Sequence, residues 1–554
     1  MKKIFTLLII LSTTLSVGET YAQHNEFEVL ERTINAAVQK SYSASVRIAQ
    51  YDTLLKQIIP AYFSGVVVSK DGHILTAAHA VQTDKSYIVI FPDGRKVLTK
   101  TLGRIDLKHL NTKHDLAMLK IDEPGVWPVA QLGWSSSLKV NEPCISISYP
   151  GNLNQSLPSI RFGRIAEIAN SDGLIRSTCK MEPGDSGGPL FDYMGRVIGI
   201  HNGCGIDEDN NFENPIDLFK KYWSALNKAE DYKEIPDELN EIGVDSLTNS
   251  IISLPYIEYL NHALPRFTPE LSGACVKIVS HIRGRQVNAA GTLIRKESKN
   301  FILSKSSLIG NDPQIVLQDI KLSIGIVARD TSNDLILMKL DGRMKQGIPF
   351  DLIIEEPRAL DMQSLGRLLV TSLPGNRKTG IISSLYLDLP RLFSSGYLGL
   401  NASFDDEKVV INAIGPNSAA ALGNLKVGDQ IKAINEKQLS NLKELSDEIR
   451  KYNPGDTITI ESVRADTLTS GRIFLTRWPV GRHAAEHFAG GRSDRADGFK
   501  KVFAYDANIR SDQCGSPVFD LNGNFYGINI ARFSRTTTLV IPADIIWKFI
   551  SNYL

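Results

Sequence analysis

Excess charge is missing from this sequence: 62 Lys and Arg residues stand against 61 Asp and Glu residues, a net charge of +1. Without a basic run there is no electrostatic basis for nucleic-acid binding. Cysteine is also scarce, with five widely spaced residues in 554, and this excludes a disulfide-rich scaffold. The odd number leaves at least one cysteine unpaired in a monomer. Whether Cys179 and Cys204 form a bridge stays open.

Long hydrophobic runs are lacking too, except for one close to the N-terminus. Lys2 and Lys3 precede IFTLLIILSTTL, and a polar stretch then ends in Thr-Tyr-Ala at Ala22. This layout is that of a secretory signal peptide. The alternative is a membrane anchor, but the run is shorter than the roughly 20 residues that cross a bilayer. We therefore predict a signal peptide over 1–22 and a soluble mature protein in the periplasm or outside the cell.

Between residues 42 and 205, short β-branched segments alternate with Gly, Asp and Pro turns, which predicts an all-β barrel or sandwich. Three fragments carry reactive side chains: TAAHAV with His79, HDLAMLKI with Asp115 and EPGDSGGPLF with Ser186. A serine hydroxyl becomes a strong nucleophile when an imidazole takes its proton and a carboxylate orients that imidazole. Backbone N–H groups of a glycine-rich turn can then stabilise the oxyanion.

Each fragment taken alone also has a purely structural explanation. His79 could cap the end of a strand, Asp115 could begin one, and GDSGGP could be a tight turn. The three occur together, in the order His, Asp, Ser, in a strand-rich sequence. That combination favours a catalytic site.

The fragments resemble those of the trypsin-like (chymotrypsin-fold) serine proteases, and most closely the bacterial HtrA/Deg branch. The resemblance implies two six-stranded β-barrels with the active site in the cleft between them. It implies His79 as general base, Asp115 as its orienting group, Ser186 as nucleophile, and the Gly184 and Ser186 amides as oxyanion donors. No metal or cofactor is implied. Asp185 departs from the Asn that HtrA sequences usually place before the serine.

After the serine motif the chain reads GRVIGIHNGCG. The strand that ends at His201 is expected to line the primary specificity pocket. His201 on this strand resembles the His of the glutamyl endopeptidases, and Lys180 falls near the pocket floor in the same alignment. Two cations there would favour an acidic residue before the cleaved bond. The alternative is a hydrogen-bonded His at a barrel edge and a solvated Lys.

Residues from about 266 to 554 repeat the pattern of the first part of the chain. SGVVVSKDGHILTAAHAV (64–81) matches AGTLIRKESKNFILSKSSLI (290–309), and HDLAMLKID matches NDLILMKLD. GDSGGPLFDYMGRVIGI (184–200) matches DQCGSPVFDLNGNFYGI (512–528). The chain therefore contains a second barrel pair.

The second copy keeps the aspartate and loses the other reactive groups. The residues aligned with His79, Asp115, Ser186 and Gly184 are Ser307, Asp334, Cys514 and Asp512. A thiol nucleophile is the alternative, but Cys514 would need a base, and no His lies between His281 and His483. We predict a degenerate copy without activity.

The second copy is interrupted by a long insertion that contains GYLGLNASFDDEKVVINAIGPNSAAALGNLKVGDQIKAIN. This segment resembles a PDZ domain. The resemblance implies that an extended peptide adds to a strand edge while loop amides hold its terminal carboxylate. The loop residues are Tyr397, Leu398, Gly399 and Leu400. The alternative is a PDZ fold that serves only as a packing platform.

The predicted fold class is mainly β, with two chymotrypsin-like double β-barrel domains in tandem, the second interrupted by an α+β PDZ domain. The predicted boundaries are 1–22 signal peptide, 23–230 protease domain, 231–265 linker, 266–388 and 480–554 degenerate domain, and 389–479 PDZ domain.

The predicted function is an exported HtrA-like serine endopeptidase that cleaves envelope proteins through an acyl-enzyme. The partners are protein or peptide substrates and PDZ-bound peptides, with no nucleic acid and no stable membrane insertion. A chaperone-like peptide-binding scaffold and an acidic-site processing protease are the alternatives. A trimer and a monomer both remain open.

Overall fold

The structure is a computed structural model that describes residues 26–107, 113–237, 239–247, 269–317, 320–342, 344–356 and 358–554. The predicted signal peptide lies outside the described residues, as does most of the predicted linker. The chain divides into two compact units. The first comprises Met1–Leu387, His483–Arg492 and Lys501–Leu554, and the second comprises Asp388–Arg482 and Ser493–Lys500.

The first unit begins with a helix, α1 (26–41), and the first barrel of the first copy. The strands of this barrel are β1 (Ser45–Asp52), β2 (Gln57–Val67), β3 (His73–Thr76), β4 (Ser86–Ile90), β5 (Lys96–Asp106) and β6 (Asp115–Ile121). They pair in the order β5-β4-β1-β2-β3-β6, and β6 returns to pair with β5. Buried and exposed residues alternate along β5, as expected of a strand with one face in a core.

A second closed barrel follows. Its elements are β7 (Gln131–Leu132), β8 (Pro143–Ser148), β9 (Ser159–Glu167), β10 (Ile175–Ser177), β11 (Pro189–Asp192), β12 (Arg196–Cys204) and β13 (Asn211–Pro215), then α2 (Ile216–Lys221), α3 (Trp223–Leu226) and β14 (Asp231–Tyr232). Six of the strands close in the order β11-β8-β9-β10-β13-β12. β14 pairs with β5, so the start of the predicted linker extends the first sheet.

The second copy repeats the first barrel. Its elements are α4 (Pro269–Ser272), β15 (Cys275–Ile282), β16 (Arg285–Lys296), β17 (Lys299–Lys305), β18 (Gln314–Leu317), β19 (Ile320–Asp330), β20 (Leu335–Leu340) and β21 (Ile348–Pro349). Six strands close in the order β15-β18-β19-β20-β17-β16. Ile278 and Ile302 in this core occupy the places of Ile48 and Ile74 in the first copy, and all four side chains are buried.

The last barrel of the first unit contains β22 (Leu368–Leu373), β23 (Asn376–Ile381), β31 (Phe499–Tyr505), β32 (Pro517–Asp520), β33 (Phe525–Arg532) and β34 (Thr538–Pro542), followed by α7 (Ala543–Ile550). They pair in the order β23-β22-β32-β33-β34-β31. An antiparallel bridge between Ile382 and Tyr505 joins the two outer strands. β24 (Leu387–Leu389) spans the division between the units.

The second unit is a sheet with two helices. Its elements are β25 (Leu400–Asp405), β26 (Lys408–Ile414), α5 (Ala419–Leu422), β27 (Gln430–Ile434), β28 (Lys437–Gln438), α6 (Leu442–Ile449), β29 (Thr457–Arg464) and β30 (Thr467–Phe474). Side chains cap both helices, because Ser418 accepts from the Ala421 N–H and Asn441 accepts from the Glu444 N–H. β25 forms one edge of the sheet.

The predicted fold class is confirmed: mainly β, with tandem double barrels and an inserted PDZ domain. Ser493–Lys500 belongs to the same unit as Asp388–Arg482. None of the helices among the described residues has the length and hydropathy needed to cross a membrane.

Candidate active site

The imidazole of His79 and the carboxylate of Asp115 are in direct contact. A short turn after β3 carries His79, and Asp115 begins β6. The distance from His79 Nδ1 to Asp115 Oδ2 is 2.5 Å, and the His79 backbone N–H donates to Asp115 Oδ1 at 2.8 Å. Asp115 is fully buried, whereas a third of the His79 side chain is exposed. A ring that donates from Nδ1 to a carboxylate leaves Nε2 as a proton acceptor.

The Ser186 segment packs directly against the segment that leads to His79. The Ser64 N–H donates to the Ser186 carbonyl at 2.9 Å, and the Thr76 hydroxyl donates to the Ser64 carbonyl at 2.9 Å. A Cβ on Gly187 would lie 2.0 Å from Thr76 Oγ1, so only glycine fits this approach. The Ser186 hydroxyl and the His79 ring share no direct hydrogen bond in the described part of the chain. Such contacts often tighten only when substrate binds.

The turn before Ser186 has the geometry of an anion site. Gly184 has φ +102°, and a Cβ there would lie 2.5 Å from both Gly151 N and Tyr149 O. Glycine is therefore required for two reasons, conformation and space. Within the described residues, the Gly184 and Ser186 amides donate to no other group, so both are available to an oxyanion.

Asp185, the departure from the HtrA pattern, belongs to a buried ion pair. Its Oδ2 lies 2.8 Å from Arg161 NH1, and both side chains are almost fully buried. The Ser148 hydroxyl donates to Asp185 Oδ1 at 2.9 Å, and the Glu182 N–H donates to Oδ2 at 2.8 Å. The carboxylate thus organises the turn that presents Ser186. Arg161 was not predicted: a buried Asp requires an opposite charge, but sequence does not say which one.

His201 is fully buried, and its Nε2 lies 2.6 Å from the Ser146 hydroxyl. Its Nδ1 is 3.5 Å from Glu213 Oε1. Burial, reinforced by the positive charge of Arg161, lowers the pKa of His201 to about 3, so the ring is neutral. Burial also raises the pKa of Glu213 well above its usual value.

The Lys180 ammonium is mostly buried, and its charge is already paired with a carboxylate. Its Nζ forms an ion pair with Glu208 at 2.5 Å, on the segment after β12. Burial lowers the pKa of Lys180 to about 8, with Arg532 contributing and Glu208 opposing. Because His201 is neutral and Lys180 is paired, the geometry gives no support to a preference for acidic residues before the cleaved bond.

The equivalent site in the second copy contains a lysine. Lys305 Nζ lies 2.7 Å from Asp334 Oδ2 and donates to the Ile530 carbonyl at 2.7 Å. Ser307, at the position of His79, donates its N–H to Asp334 Oδ1 and its hydroxyl to Oδ2. The role of Lys305 was not predicted from the sequence. The signal was visible, because Lys305 aligns with Ala77 of the first copy.

The backbone around Cys514 repeats that around Ser186. The Ala290 N–H donates to the Cys514 carbonyl at 3.1 Å, and the Gly515 N–H donates to the Asn529 carbonyl at 2.7 Å. The Cys514 side chain is fully buried, and Asp512 pairs with Arg510 at 2.8 Å. These contacts favour the prediction of an inactive copy.

Two of the other cysteines, Cys144 and Cys179, are close neighbours in the structure. Cys179 Sγ lies 3.8 Å from Cys144 Sγ, both buried, so the neighbour of Cys179 is Cys144 and not Cys204. No cluster of three or more His, Cys, Asp or Glu residues suited to a metal ion occurs among the described side chains.

The second unit contains a groove with a volume of about 400 Å³, between the predicted peptide-binding loop, β25 and α6. One predicted donor is excluded, because the Tyr397 N–H donates to the Thr476 carbonyl at 2.8 Å. The Leu398 side chain is buried in the core. The Leu398 and Gly399 amides donate to no other described group, and Leu400 begins β25 at the edge of the groove.

Comparison with known proteins agrees with both domain types. Residues 63–200 match a trypsin-like peptidase domain, and residues 396–473 match a PDZ domain. A probable periplasmic serine endoprotease DegP-like from Halomonas elongata is 35% identical over 142 residues, 25% of this chain and 28% of its own length. The resemblance to HtrA-type serine proteases is confirmed.

Two further serine proteases are similar over more of the chain. Serine protease HTRA4 from Homo sapiens is 26% identical over 268 residues, 47% of this chain and 54% of its own length. The putative serine protease HhoA from Synechocystis is 31% identical over 172 residues, 29% of this chain and 42% of its own. The chain therefore spans between 28% and 54% of the length of these three relatives.

Proposed function

We propose that this HtrA-type chain is an exported serine endopeptidase that cleaves proteins of the cell envelope through an acyl-enzyme. The observation that carries the proposal is the buried Asp115 carboxylate, which holds a partly exposed His79 ring beside the Ser186 turn. Two unengaged amides in that turn, those of Gly184 and Ser186, complete the group. The periplasmic names of the DegP-like relatives support export.

The proposed reaction assigns one role to each of these groups. Ser186 Oγ attacks the peptide carbonyl carbon while His79 Nε2 takes the hydroxyl proton. Asp115 stabilises the imidazolium, and the Gly184 and Ser186 amides stabilise the oxyanion. The imidazolium then gives its proton to the leaving amine, which breaks the C–N bond and leaves an ester on Ser186. Water then attacks the ester carbonyl while His79 takes its proton, and the C–Oγ bond breaks. The imidazolium returns this proton to Ser186 Oγ, so the carboxylic acid product leaves and the free serine is regenerated.

The groove of the second unit fits an extended peptide with a free carboxyl end. Such a peptide can pair with the open edge of β25 and extend the sheet. Its terminal carboxylate would then accept from the Leu398 and Gly399 amides. In this role the PDZ domain selects or holds substrates of the protease.

A fluorophosphonate probe tests the proposed hydrolysis. The mature protein, starting at Gln23, should be labelled on Ser186 and should degrade an unfolded protein such as casein. Both activities should disappear in Ser186→Ala and in His79→Ala, whereas Cys514→Ala should keep them. A folded wild-type protein that reacts with no probe and cleaves no substrate would instead support the scaffold alternative.

Peptide binding is tested separately by fluorescence anisotropy with peptides that end in a free or an amidated carboxyl group. Amidation should weaken binding about tenfold, because it removes the negative charge that strengthens the hydrogen bonds donated by the loop amides. Gly399→Val should abolish binding, since Gly399 has φ +74° and a Cβ there would lie 2.3 Å from Ser418 Cβ. Gly471→Ala, on an open part of β30, is the control. Equal affinity for the two peptides would remove the carboxylate role.

A further inference from the structure

The segment 205–210, the pocket loop, joins β12 to β13 and continues the strand predicted to line the specificity pocket. A buried arginine of the second copy holds this loop. Arg535 NH1 donates to the Gly205 carbonyl at 2.6 Å, and its NH2 donates to the Asp207 carbonyl at 2.6 Å. The Arg535 side chain is fully buried. The loop conformation thus depends on a residue more than 300 positions away.

The acidic residue of the pocket loop is also engaged by the second copy. Arg532 NH2 lies 3.3 Å from Glu208 Oε2, and the Ala489 N–H donates to Glu208 Oε1 at 2.9 Å. Burial opposes ionisation of Glu208, but Lys180, the Ala489 amide and Arg532 together lower its pKa. Glu208 therefore links the second copy to Lys180 of the first copy.

The turn before Ser186 is held by groups of the first copy. Burial, together with the Asp185 carboxylate, raises the pKa of Glu182, and the positive charge of Arg161 opposes that rise. Glu182 lies two residues before Gly184, and its N–H bonds to Asp185. Arg532 and Arg535 belong to residues 532–536, the arginine segment, which thus bonds directly to the pocket loop of the first copy.

We propose that the second copy is a positioning element for the first, and that its arginine segment holds the pocket loop in the arrangement that accepts substrate. This inference rests on the proposed protease function. Arg535 and Arg532 touch no reacting atom, so they are positioning residues. Loops that lack such ties sample many conformations. The fold of the second copy is retained for the contacts it makes, although its own site has lost the reactive groups.

The test compares two reactions of the full mature protein. Peptide hydrolysis depends on the pocket, whereas labelling by a small alkyl fluorophosphonate depends on Ser186, His79 and the oxyanion amides alone. Arg535→Ala should raise KM for peptides about tenfold while the labelling rate stays within about twofold of wild type. Arg535→Lys should restore part of the affinity, because an ammonium can still donate to one of the two carbonyls.

A matched control is Arg329→Ala. Arg329 also donates to backbone carbonyls, those of Ser306, Ile309 and Gly310, but entirely within the second copy. It should change neither reaction. Glu208→Gln is a second test variant, which leaves Arg535 unchanged. It removes the negative charge that Lys180 and Arg532 bind, so KM should also rise, by about threefold.

The possible results separate the two hypotheses. Unchanged KM in Arg535→Ala and Glu208→Gln, or peptide hydrolysis and labelling that fall in the same proportion, would overturn the positioning role. A wild-type protein that shows no labelling would instead contradict the proposed function. A rise in KM with intact labelling supports both.

Discussion

A buried carboxylate occupies the same place in both copies and has different partners. Asp115 faces the His79 imidazole at 2.5 Å, and Asp334 faces the Lys305 ammonium at 2.7 Å. Asp115 also accepts a hydrogen bond from the backbone N–H of His79, and Asp334 accepts one from the backbone N–H of Ser307, the residue aligned with His79. The carboxylate therefore has a structural role in both, and the chemistry depends on the partner that it orients.

At the nucleophile position, too, the two copies share backbone hydrogen bonds and differ in the reactive side chain. Ser186 and Cys514 lie in turns with equivalent backbone hydrogen bonds to Ser64 and Ala290. Ser186 is partly exposed, while Cys514 is fully buried. The backbone bonds preserve the fold, so they persist when the reactive side chains change.

The largest expected effect comes from the same substitution in the two copies. Asp115→Asn should lower kcat for peptide hydrolysis about 10⁴-fold, because an amide favours the wrong tautomer of His79. Asp334→Asn should leave kcat within about twofold and lower the free energy of unfolding by about 3 kcal/mol, since the Lys305 charge loses its buried partner. Steady-state kinetics and urea unfolding measure the two. Comparable loss of kcat in both variants would remove the distinction between the copies.

The next effect concerns the ion pair behind the nucleophile. Arg161→Gln should lower the free energy of unfolding by about 3 to 5 kcal/mol and slow Ser186 labelling, because Asp185 would be left buried without an opposite charge. Lys378 aligns with Arg161 in the second copy, where Gln513 replaces Asp185. Lys378→Gln should therefore cost less than about 1 kcal/mol. Equal costs in the two unfolding curves would contradict a special role for Arg161.

A pH effect is expected at Asp506, whose carboxylate bonds to both copies. It accepts from the Phe162 N–H of the first and the Ile381 N–H of the second. Burial raises the pKa of Asp506 from 3.8 to about 6. Between these pH values the folded protein binds more protons than the unfolded chain, so the free energy of unfolding falls as pH rises, by about 3 kcal/mol.

Asp506→Asn should remove this part of the pH dependence. The measurement is the free energy of unfolding from urea curves between pH 4 and pH 7, taken as the difference between wild type and variant. The difference should change steadily up to about pH 6 and then become constant. Parallel curves over the whole range would show that Asp506 has no raised pKa.

The smallest effect is expected from an attempt to restore the second site. Ser307→His with Cys514→Ser, in a Ser186→Ala background, should give no fluorophosphonate labelling. The Lys305 ammonium would still pair with the Asp334 carboxylate, and the side chain at position 514 is buried. Labelling of the restored serine, located by peptide mass spectrometry, would mean that the two sites differ only in these residues.

Local pattern was sufficient to predict much of the molecule. Strand alternation, as in β5, identified barrel strands because one face of each strand lies in a core. The motifs around His79, Asp115 and Ser186 were recognisable because each needs a particular neighbouring backbone, such as the glycine at 184. The internal repeat predicted the second barrel pair in the same way.

Tertiary structure decided which charges meet. Arg161 with Asp185, Lys305 with Asp334, and Arg535 with the pocket loop join residues from different strands or different copies. It also showed that Lys180 is paired and that the Tyr397 amide is already used. A motif specifies chemistry over a few neighbouring residues. The partner of a buried charge depends on how the barrels pack, and that is determined only when the whole chain folds.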